Sequence, residues 1–432
     1  MGAQSVTLPR RYHAVRTLLT VAENAPMIHV IGLTTAPLTD PDSDVAQLIH
    51  RAPLVLGYPR QLALVEHLVT GQSVTLHSPL RTMLRHLLET APTDTVILAS
   101  GDPLFHGIGE TVIDCAPAGV QIRCYPTPTA ASLAASELGW SYSDIPVFSL
   151  TTKPLYALRR VLSPDQRVLI YGITRQNVQE VASYLCRHGY DASRLWLLGD
   201  LGTPSASRWE GTASELSRLA AGANSLCGDI TLLAMECQYC DPRDSRASRT
   251  AGLPDELFST DKGQLTKQAM RAITLSQLLP CAGEELWDVG AGSGSIAIEW
   301  CRLTGGTAHC FEAEATRHRD IIDNAERLGV TGLTLCGEAP ASFGEVETAP
   351  AAIFIGGGVT TPGIVTACWE CLMPGGRLVA TAVTTESLRV VEDACARYGG
   401  CLTEYSEATY SPLGHLHTWR PRLRHVQWVV EK

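Results

Sequence analysis

The chain has 432 residues, 45% hydrophobic and 18% charged, with a formal net charge of −10. That length exceeds one ordinary domain and calls for two or three with substantial cores. The acidic balance speaks against a strongly basic face for duplex nucleic acid, and the short, interrupted apolar runs speak against a transmembrane helix.

Residues 1–26 carry Arg10, Arg11 and Arg16 but no apolar stretch, so they do not read as a secretory signal. They are expected to form a flexible extension, with Met27 as an alternative start. From MIHVIGL at Met27 to TLLAMEC (231–237), strand-like runs at 28–32, 54–57, 95–99, 121–125, 168–171 and 194–198 recur. Amphipathic stretches such as 62–69 and 178–187 lie between several of them. This order predicts an α/β domain over 27–237 with a largely parallel sheet. Within it, ILASGDPLFHGIG (97–109) ends a strand in SGDP. Gly101 permits close backbone approach, Asp102 can bond backbone amides and Pro103 fixes the turn. Taken alone, SGDP is an ordinary strand-to-helix turn. YPTPTAASLAASELGW (125–140) supplies a second loop-to-helix element through Thr129 and Ala130.

CDPRDSRASRTAG (240–252) is charged and free of large apolar residues, which predicts a linker over 238–252. A second series fills 253–432. Its strands are expected at 286–290, 308–312, 333–336, 352–355 and 376–381, and its helices at 295–303, 316–328, 363–372 and 385–398. Five strands with intervening helices predict a doubly wound sheet whose ligand lies beyond the carboxyl ends of the strands. The 14 cysteines follow no repeated spacing. The C-x-x-C pairs Cys237/Cys240 and Cys368/Cys371 lack partners for a four-ligand zinc site, so no metal is expected and the thiols read as buried groups in a reducing cytoplasm.

WDVGAGSG (287–294) carries the most specific local signal. Gly290, Gly292 and Gly294 let the loop fold tightly and let a ligand approach the backbone, and a helix starts near Ser295. Glu312 ends the next strand about 20 residues on, where a carboxylate can accept from ribose hydroxyls. A third strand ends in CGEAP, bringing Glu338 and Ala339 to the same rim. NAD fits these facts too. The dinucleotide pattern, however, is G-x-G-x-x-G; here the third glycine comes one residue early and Asp288 precedes the first by two. This arrangement resembles motif I of the class I S-adenosylmethionine (SAM) methyltransferases.

The neighbouring motifs extend that resemblance. PDELFSTDKGQLTKQAMRA (254–272), LWDVGAGSGSIAIEW (286–300), CGEAP (336–340), IFIGGG (353–358) and MPGGRLVATAVTTES (373–387) follow one another in the order of the decarboxylating methyltransferase module of cobalamin biosynthesis. The likeness covers essentially all of 253–432 and implies a Rossmann-like class I SAM methyltransferase. It implies that Thr266 contacts the amino-acid end of SAM. Gly290, Ala291, Gly292, Ser293 and Gly294 would wrap its methionine portion and ribose, Glu312 would hold the ribose, and the backbone around Ala339 would meet adenine. Glu338 departs from the Asp that the family often has.

In the first half, the SGDP and TPTAA segments are followed by VLIYGITRQNVQEVASYL (168–185) and LWLLGDLGTPSASRWEGT (195–212). Together they resemble the tetrapyrrole methylase family over about 27–237. The resemblance implies a different SAM fold, with the cofactor folded in a cleft between two αβ subdomains. Gly101, Asp102, Thr129 and Ala130 are then SAM-site candidates. In many relatives the first strand ends in G-x-G-P-G-D, whereas VIGLTTAPLTD keeps only Gly32. His106 stands where related members often have Tyr, and reads as cleft-lining first and a proton carrier second.

The two resemblances imply two methylations of one reduced, anionic tetrapyrrole. The C-terminal half would methylate carbon-15 and promote loss of carbon dioxide from the carbon-12 acetate. The N-terminal half would methylate carbon-5, giving precorrin-8. The conjugated macrocycle supplies the nucleophilic carbon and accepts the electrons of decarboxylation, so no catalytic acid or base is assigned. Lys262, Lys267, Arg420, Arg422 and Arg424 are candidate partners for substrate carboxylates; for the arginines a solvated charged edge is an equal reading. A cytoplasmic homo-oligomer without nucleic-acid or membrane partners is expected. The alternatives are a SAM-dependent enzyme of another tetrapyrrole or of RNA, a nicotinamide-dependent oxidoreductase, and a non-catalytic N-terminal half.

Overall fold

The computed structural model describes residues 26–219, 225–228, 231–241, 243–260 and 265–432. Residues 1–25 of the expected extension, and Lys262, lie outside them. The chain divides into two compact units, one of residues up to 152 with 166–238, the other of 153–165 with 239–432.

The first unit opens with β1 (Met27–Leu33), β2 (Leu54–Gly57), β3 (Gln72–Thr75), β4 (Thr95–Ser100) and β5 (Gln121–Tyr125). They form a wholly parallel sheet in the order β3-β2-β4-β1-β5. Helices α1 (Asp44–Arg51), α2 (Pro59–Val65), α3 (Leu80–Glu89) and α4 (Gly109–Cys115) lie between its strands or follow them. Alternate residues of these strands feed two cores. Ile28, Val30 and Ile97 belong to one, Ile31, Val96 and Leu98 to the other. Covering both faces is why the strands read as nearly unbroken apolar runs.

Next comes α5 (Ala130–Leu138), started by Thr129, whose Oγ1 accepts from Ser132 N at 3.1 Å. A second sheet follows: β6 (Val147–Ser149), β7 (Arg167–Ile173), β8 (Arg194–Gly199), β9 (Ser207–Thr212) and β10 (Thr231–Glu236), in the order β6-β7-β10-β8-β9. Helices α6 (Val178–Arg187) and α7 (Ala213–Arg218) accompany it. Only the β6–β7 pair is parallel, so the expected parallel sheet describes the first half of this unit alone. The short 200–206 connection between β8 and β9 permits only antiparallel pairing, since a parallel crossover needs a dozen or more residues.

In the second unit α8 (Gln268–Leu278) precedes β11 (Glu285–Val289), α9 (Ser295–Thr304), β12 (Thr307–Phe311), α10 (Ala315–Arg327) and β13 (Leu333–Cys336). Then come β14 (Ala352–Ile355), α11 (Ile364–Cys371), β15 (Arg377–Ala382), α12 (Thr385–Tyr398), β16 (Cys401–Tyr405), β17 (Ala408–Leu413), β18 (Leu416–Pro421) and β19 (His425–Glu431). The sheet has seven strands in the order β13-β12-β11-β14-β15-β19-β16, with β19 antiparallel to both neighbours. The five predicted strands are its parallel part, and β17 and β18 form a separate hairpin. Trp287, Phe311 and Phe343 pack on one face, with ring centroids 4.9 to 5.1 Å apart. Leu286, Ile296 and Trp300 belong to the core on the other.

Segment 153–165 departs from the continuous first domain expected over 27–237. Its turn Leu155–Val161 buries Ala157, Leu158 and Arg159, and Arg159 forms a fully buried ion pair with Asp244. Asp244 also accepts from Arg246 N and Nε, each at 3.0 Å. Arg302 Nη2 donates to Arg246 O at 2.6 Å and Ser248 O at 3.1 Å. The stretch read as a linker from its charge is therefore packed. A carboxylate out of water needs charged partners, and the arginines supply them. Among the described residues no helix is long and apolar enough to cross a membrane, and no group of three or more His, Cys, Asp or Glu could hold a metal.

Candidate functional site

Each unit presents a glycine turn at the carboxyl end of a parallel sheet. In the second unit the strand order reverses between β11 and β14, the crevice where such sheets take their ligands. The loop leaving β11 crosses this point. Gly290, Gly292 and Gly294 have φ of +70°, +59° and +72°, the left-handed region where side chains are strained. Their surroundings separate three roles. A Cβ on Gly290 would lie 2.7 Å from the backbone N, Cα and O of Gly357, in the loop after β14. One on Gly294 would meet Ile321 of α10 at 3.0 Å. One on Gly292 would meet nothing within 4 Å. Gly290 and Gly294 thus serve internal packing, and Gly292 borders open space.

Glu312 follows β12 and is only 4% exposed. Its Oε2 accepts from Gly292 N at 2.8 Å, its Oε1 accepts from Glu314 N at 3.0 Å, and Arg317 Nη1 lies 3.7 Å from Oε2. The spacing between glycine loop and acid is therefore closed by a direct bond. Two amides take two of the roughly four lone-pair sites on a carboxylate, leaving capacity for hydroxyl donors. Beneath the loop, Asp288 is fully buried and Oδ2 accepts from Ala297 N at 3.2 Å. Burial first, and the charge of Glu312 second, push its carboxyl up to about 7 against the single amide bond.

The other sequence-marked positions take distinct places. Ala291 is half-buried in the same loop. Ser293 is buried, and its carbonyl accepts from Asn324 Nδ2 at 3.0 Å. Ala339 lies just past β13, the strand next to β12, partly buried against the core. Thr266 stands before α8, its carbonyl held by Arg271 Nη1. Sequence reasoning missed two buried side chains that fix these segments. Asn324 also bonds Ser259 through both backbone groups, accepting at 2.7 Å and donating at 2.9 Å. Arg271 pairs with Glu299 at 2.5 Å and also donates to Leu253 O. Neither helix marks its residue in the sequence: Arg271 stands in α8 and Asn324 in the polar α10.

The candidate cations divide. Arg422 pairs with Glu407 at 3.3 Å and Arg424 with Glu404 at 3.2 Å, which favours a charged edge for both. Arg420 donates to Pro412 O at 3.1 Å. Lys267 Nζ lies 3.9 Å from Asp255.

In the first unit a cleft of about 370 Å³ runs between the two sheets. Gly101, Thr129 and Ala130 line it. Gly101 has φ +65°, and a Cβ there would meet Thr129 Cα at 3.1 Å. A Cβ on Gly32 would lie 1.8 Å from Gly101 O, so the one glycine kept from the relatives' first-strand motif is required by close packing of the two turns. Asp102 does not border the cleft; its Oδ1 accepts from Leu104 N at 2.9 Å, and the carboxylate shapes the turn. His106 lines the cleft at φ +52°, its ring 5.0 Å from Phe105 and 6.0 Å from Tyr171. Tyr171 Oη accepts from Ala131 N at 2.9 Å, and burial raises its phenol above the ordinary value. Tyr171 and Arg60 are cleft residues that the sequence did not mark.

Each turn offers a ligand access to the backbone. One offers Gly292 over open space beside a carboxylate with acceptor capacity. The other offers a cleft within the size range of small-molecule sites.

The comparisons with known proteins agree with this division. Residues 44–217 match the family of tetrapyrrole (corrin/porphyrin) methylases, and 256–432 match the precorrin methyltransferase domain. A precorrin-6Y C(5,15)-methyltransferase (decarboxylating) of Mycobacterium tuberculosis is 37% identical over 408 residues, 94% of this chain and 100% of the relative. One from Sinorhizobium is 38% identical over 411 residues, 94% of this chain and 97% of the relative. A probable cobalt-precorrin-6B C(15)-methyltransferase (decarboxylating) of Saccharolobus solfataricus is 34% identical over 162 residues, 36% of this chain and 81% of the relative. With identities of 37% and 38% over nearly the whole of such relatives, the chain belongs to the family of precorrin-6Y C(5,15)-methyltransferases (decarboxylating).

Proposed function

We propose that the chain is a bifunctional SAM-dependent C-methyltransferase of cobalamin biosynthesis, methylating carbons 5 and 15 of a precorrin and removing the carboxyl of its carbon-12 acetate. The relatives of matching length act at both carbons by name, and the relative that covers about a third of the chain acts at carbon-15 alone. The second unit is therefore given carbon-15 and the decarboxylation, and the first unit carbon-5. The observation that carries the reading is Gly292, open to space while its amide holds Glu312 at the switch point of the sheet.

When bound, SAM supplies an electrophilic methyl on a sulfonium. The chain's own contribution is placement. Glu312 accepts from the ribose hydroxyls, Gly292 gives the donor close access to the backbone of a loop that Gly290 and Gly294 pack into place, and Arg271 and Asn324 hold the flanking segments at Thr266 and Ser293. In the first unit Gly101, Thr129 and Ala130 cradle the second donor. Aligning donor and carbon in a near-attack geometry can remove about 7–11 kcal/mol of barrier. The chain needs no strong base, because the reduced macrocycle carries the nucleophilic carbon and can accept the electrons left by carbon dioxide.

The expected homo-oligomer has support in the hairpin, where Tyr410, Leu413, Leu416 and Trp419 are exposed. Light scattering on the purified chain tests it. For the reaction, mass spectrometry of the product from a reduced precorrin and SAM is the test. Two methyls gained and one carbon dioxide lost are expected; an unchanged tetrapyrrole overturns the reading.

A further inference from the structure

The cleft of the first unit is walled from both sheets, and two loops meet on it. One leaves β1 and carries Thr34 and Thr35; the other leaves β8 and carries Leu201. Thr35 Oγ1 donates to Leu201 O at 2.6 Å. A Cβ on Gly202 would lie 3.7 Å from both Thr35 Oγ1 and Leu133 Cδ1, so the second loop lies against the first loop and against the helix that Thr129 starts. One side-chain bond thus joins connections that belong to separate sheets.

The first loop is anchored unevenly. Its outer part is tied down: His67 Nε2 donates to Leu38 O at 3.0 Å, Ser43 Oγ to Asp40 O at 2.9 Å and Gln47 Nε2 to Asp42 O at 3.2 Å. Residues 34–37 form no helix or strand and are exposed or half-buried. Among the described residues, Thr35 supplies the hydrogen bond that carries them to another segment, while Thr34 Oγ1 turns back to Ala36 O at 3.4 Å. A segment with few packed contacts lies at the low-stability end of a fold, from which active-site lids are drawn. A neutral bond holds such a segment by a factor of about 2–10 in its opening equilibrium. That is enough to favour closure and little enough to permit release.

We propose that residues 34–37 are a strap over the cleft of the first unit, closed by the Thr35 hydroxyl on Leu201 and opened to admit the tetrapyrrole. The inference rests on the functional reading above. The cleft of about 370 Å³ lies near the lower end of the range for one small-molecule ligand. Methyl transfer needs donor and macrocycle there together, so the walls must part. Closure afterwards excludes water and holds the acceptor carbon against the donor. Leu33, Leu133 and Leu201 give the closed cleft an apolar lining beside the strap.

The full-length chain is compared as wild type, Thr35→Val, which keeps the shape and removes the hydroxyl, and Thr35→Ser, which retains it. Amide hydrogen exchange is followed in peptides covering 34–40 and 200–206. Initial rates of methyl transfer to carbon-5 and to carbon-15 are scored separately by the position of the new methyl. Thr35→Val should speed exchange in both peptides by about 2–10-fold and raise the KM for the tetrapyrrole in carbon-5 transfer by a similar factor. Carbon-15 transfer, the melting temperature and exchange in β4 should keep their wild-type values, and Thr35→Ser should stay close to wild type throughout. Wild-type exchange in Thr35→Val overturns the strap. So does faster exchange across the whole first unit with a lowered melting temperature, which marks a structural bond. Faster local exchange with unchanged carbon-5 kinetics overturns the gating role. If the wild type transfers no methyl at all, it is the functional reading that fails; exchange needs no turnover and still decides whether the bond closes the loop.

Discussion

Substituting Gly290 and Gly292 one at a time separates packing from binding. Both have positive φ, so alanine at either costs about 1–2 kcal/mol in backbone strain. At Gly292 that is the whole structural cost, because the new Cβ meets nothing within 4 Å. Gly292→Ala should lower the melting temperature of its unit by about 2–8 °C, given roughly 2–4 °C per kcal/mol for a domain of this size. At Gly290 the Cβ lies 2.7 Å from three backbone atoms of Gly357. Gly356 N is bonded to Val289 O at 2.9 Å, which keeps that loop from retreating. Overpacking adds about 1–3 kcal/mol, so Gly290→Ala should cost about 2–5 kcal/mol in all. Binding should differ too. The Cβ on Gly292 enters the space assigned to the donor and should weaken S-adenosylhomocysteine by about 10–100-fold, the worth of a charge-assisted contact such as that with Glu312. Thermal melts and calorimetric titration of each variant measure both effects. Wild-type affinity in Gly292→Ala, or a Gly290 variant no less stable than the Gly292 variant, would refute the assignment of roles within the loop.

Glu299→Gln should destabilise the second unit by about 1.5–3 kcal/mol in a urea melt, the worth of a hydrogen bond to a charged group, since the buried Arg271 loses its pair with Glu299 and keeps Asp255 at 3.2 Å; a loss below about 1 kcal/mol contradicts the burial argument. Asp288 is an acid whose folded-state value, about 7, lies above its ordinary 3.8. The folded chain holds that proton more tightly, so the stability Asp288 supplies is fully present at low pH and is lost as pH rises between these values. Subtracting the stability curve of Asp288→Asn from that of the wild type should give a decline between pH 4 and 7 and none above; a flat difference sinks this reading. Asp244→Asn should speed amide exchange in Leu155–Val161 while β7 keeps its protection, because Arg159 loses its charged partner; unchanged exchange there would mean the ion pair does not hold the segment.

Much of the second unit was legible in the sequence because its signals are local. Three glycines at alternate positions announce a loop that needs positive φ, and Glu312 ends the next strand at the distance a βαβ unit sets. The antiparallel pair β16 and β19 was not seen, because a hairpin and loops separate partners that meet only in the folded sheet. Asn324 and Arg271 escaped for a different reason. Each sits in a helix whose pattern reads as ordinary, and its importance lies in carbonyls far away in the chain. The same holds for Arg159 with Asp244, 85 residues apart, and for Arg60 with Ser100, 40 residues apart. Charge misled at 240–252, where composition suggests a solvated linker and Asp244 is buried. In the first unit Gly101 and Thr129 were readable from their turns, whereas the cleft that joins them to Tyr171 requires the second sheet to be in place.

The central claim is that each unit holds its own methyl donor. Calorimetric titration of the full-length chain with S-adenosylhomocysteine tests it by stoichiometry. The account predicts two sites per chain, of which Gly292→Ala weakens one and leaves the other at wild-type affinity. A single site in the wild-type chain, or none, would contradict it.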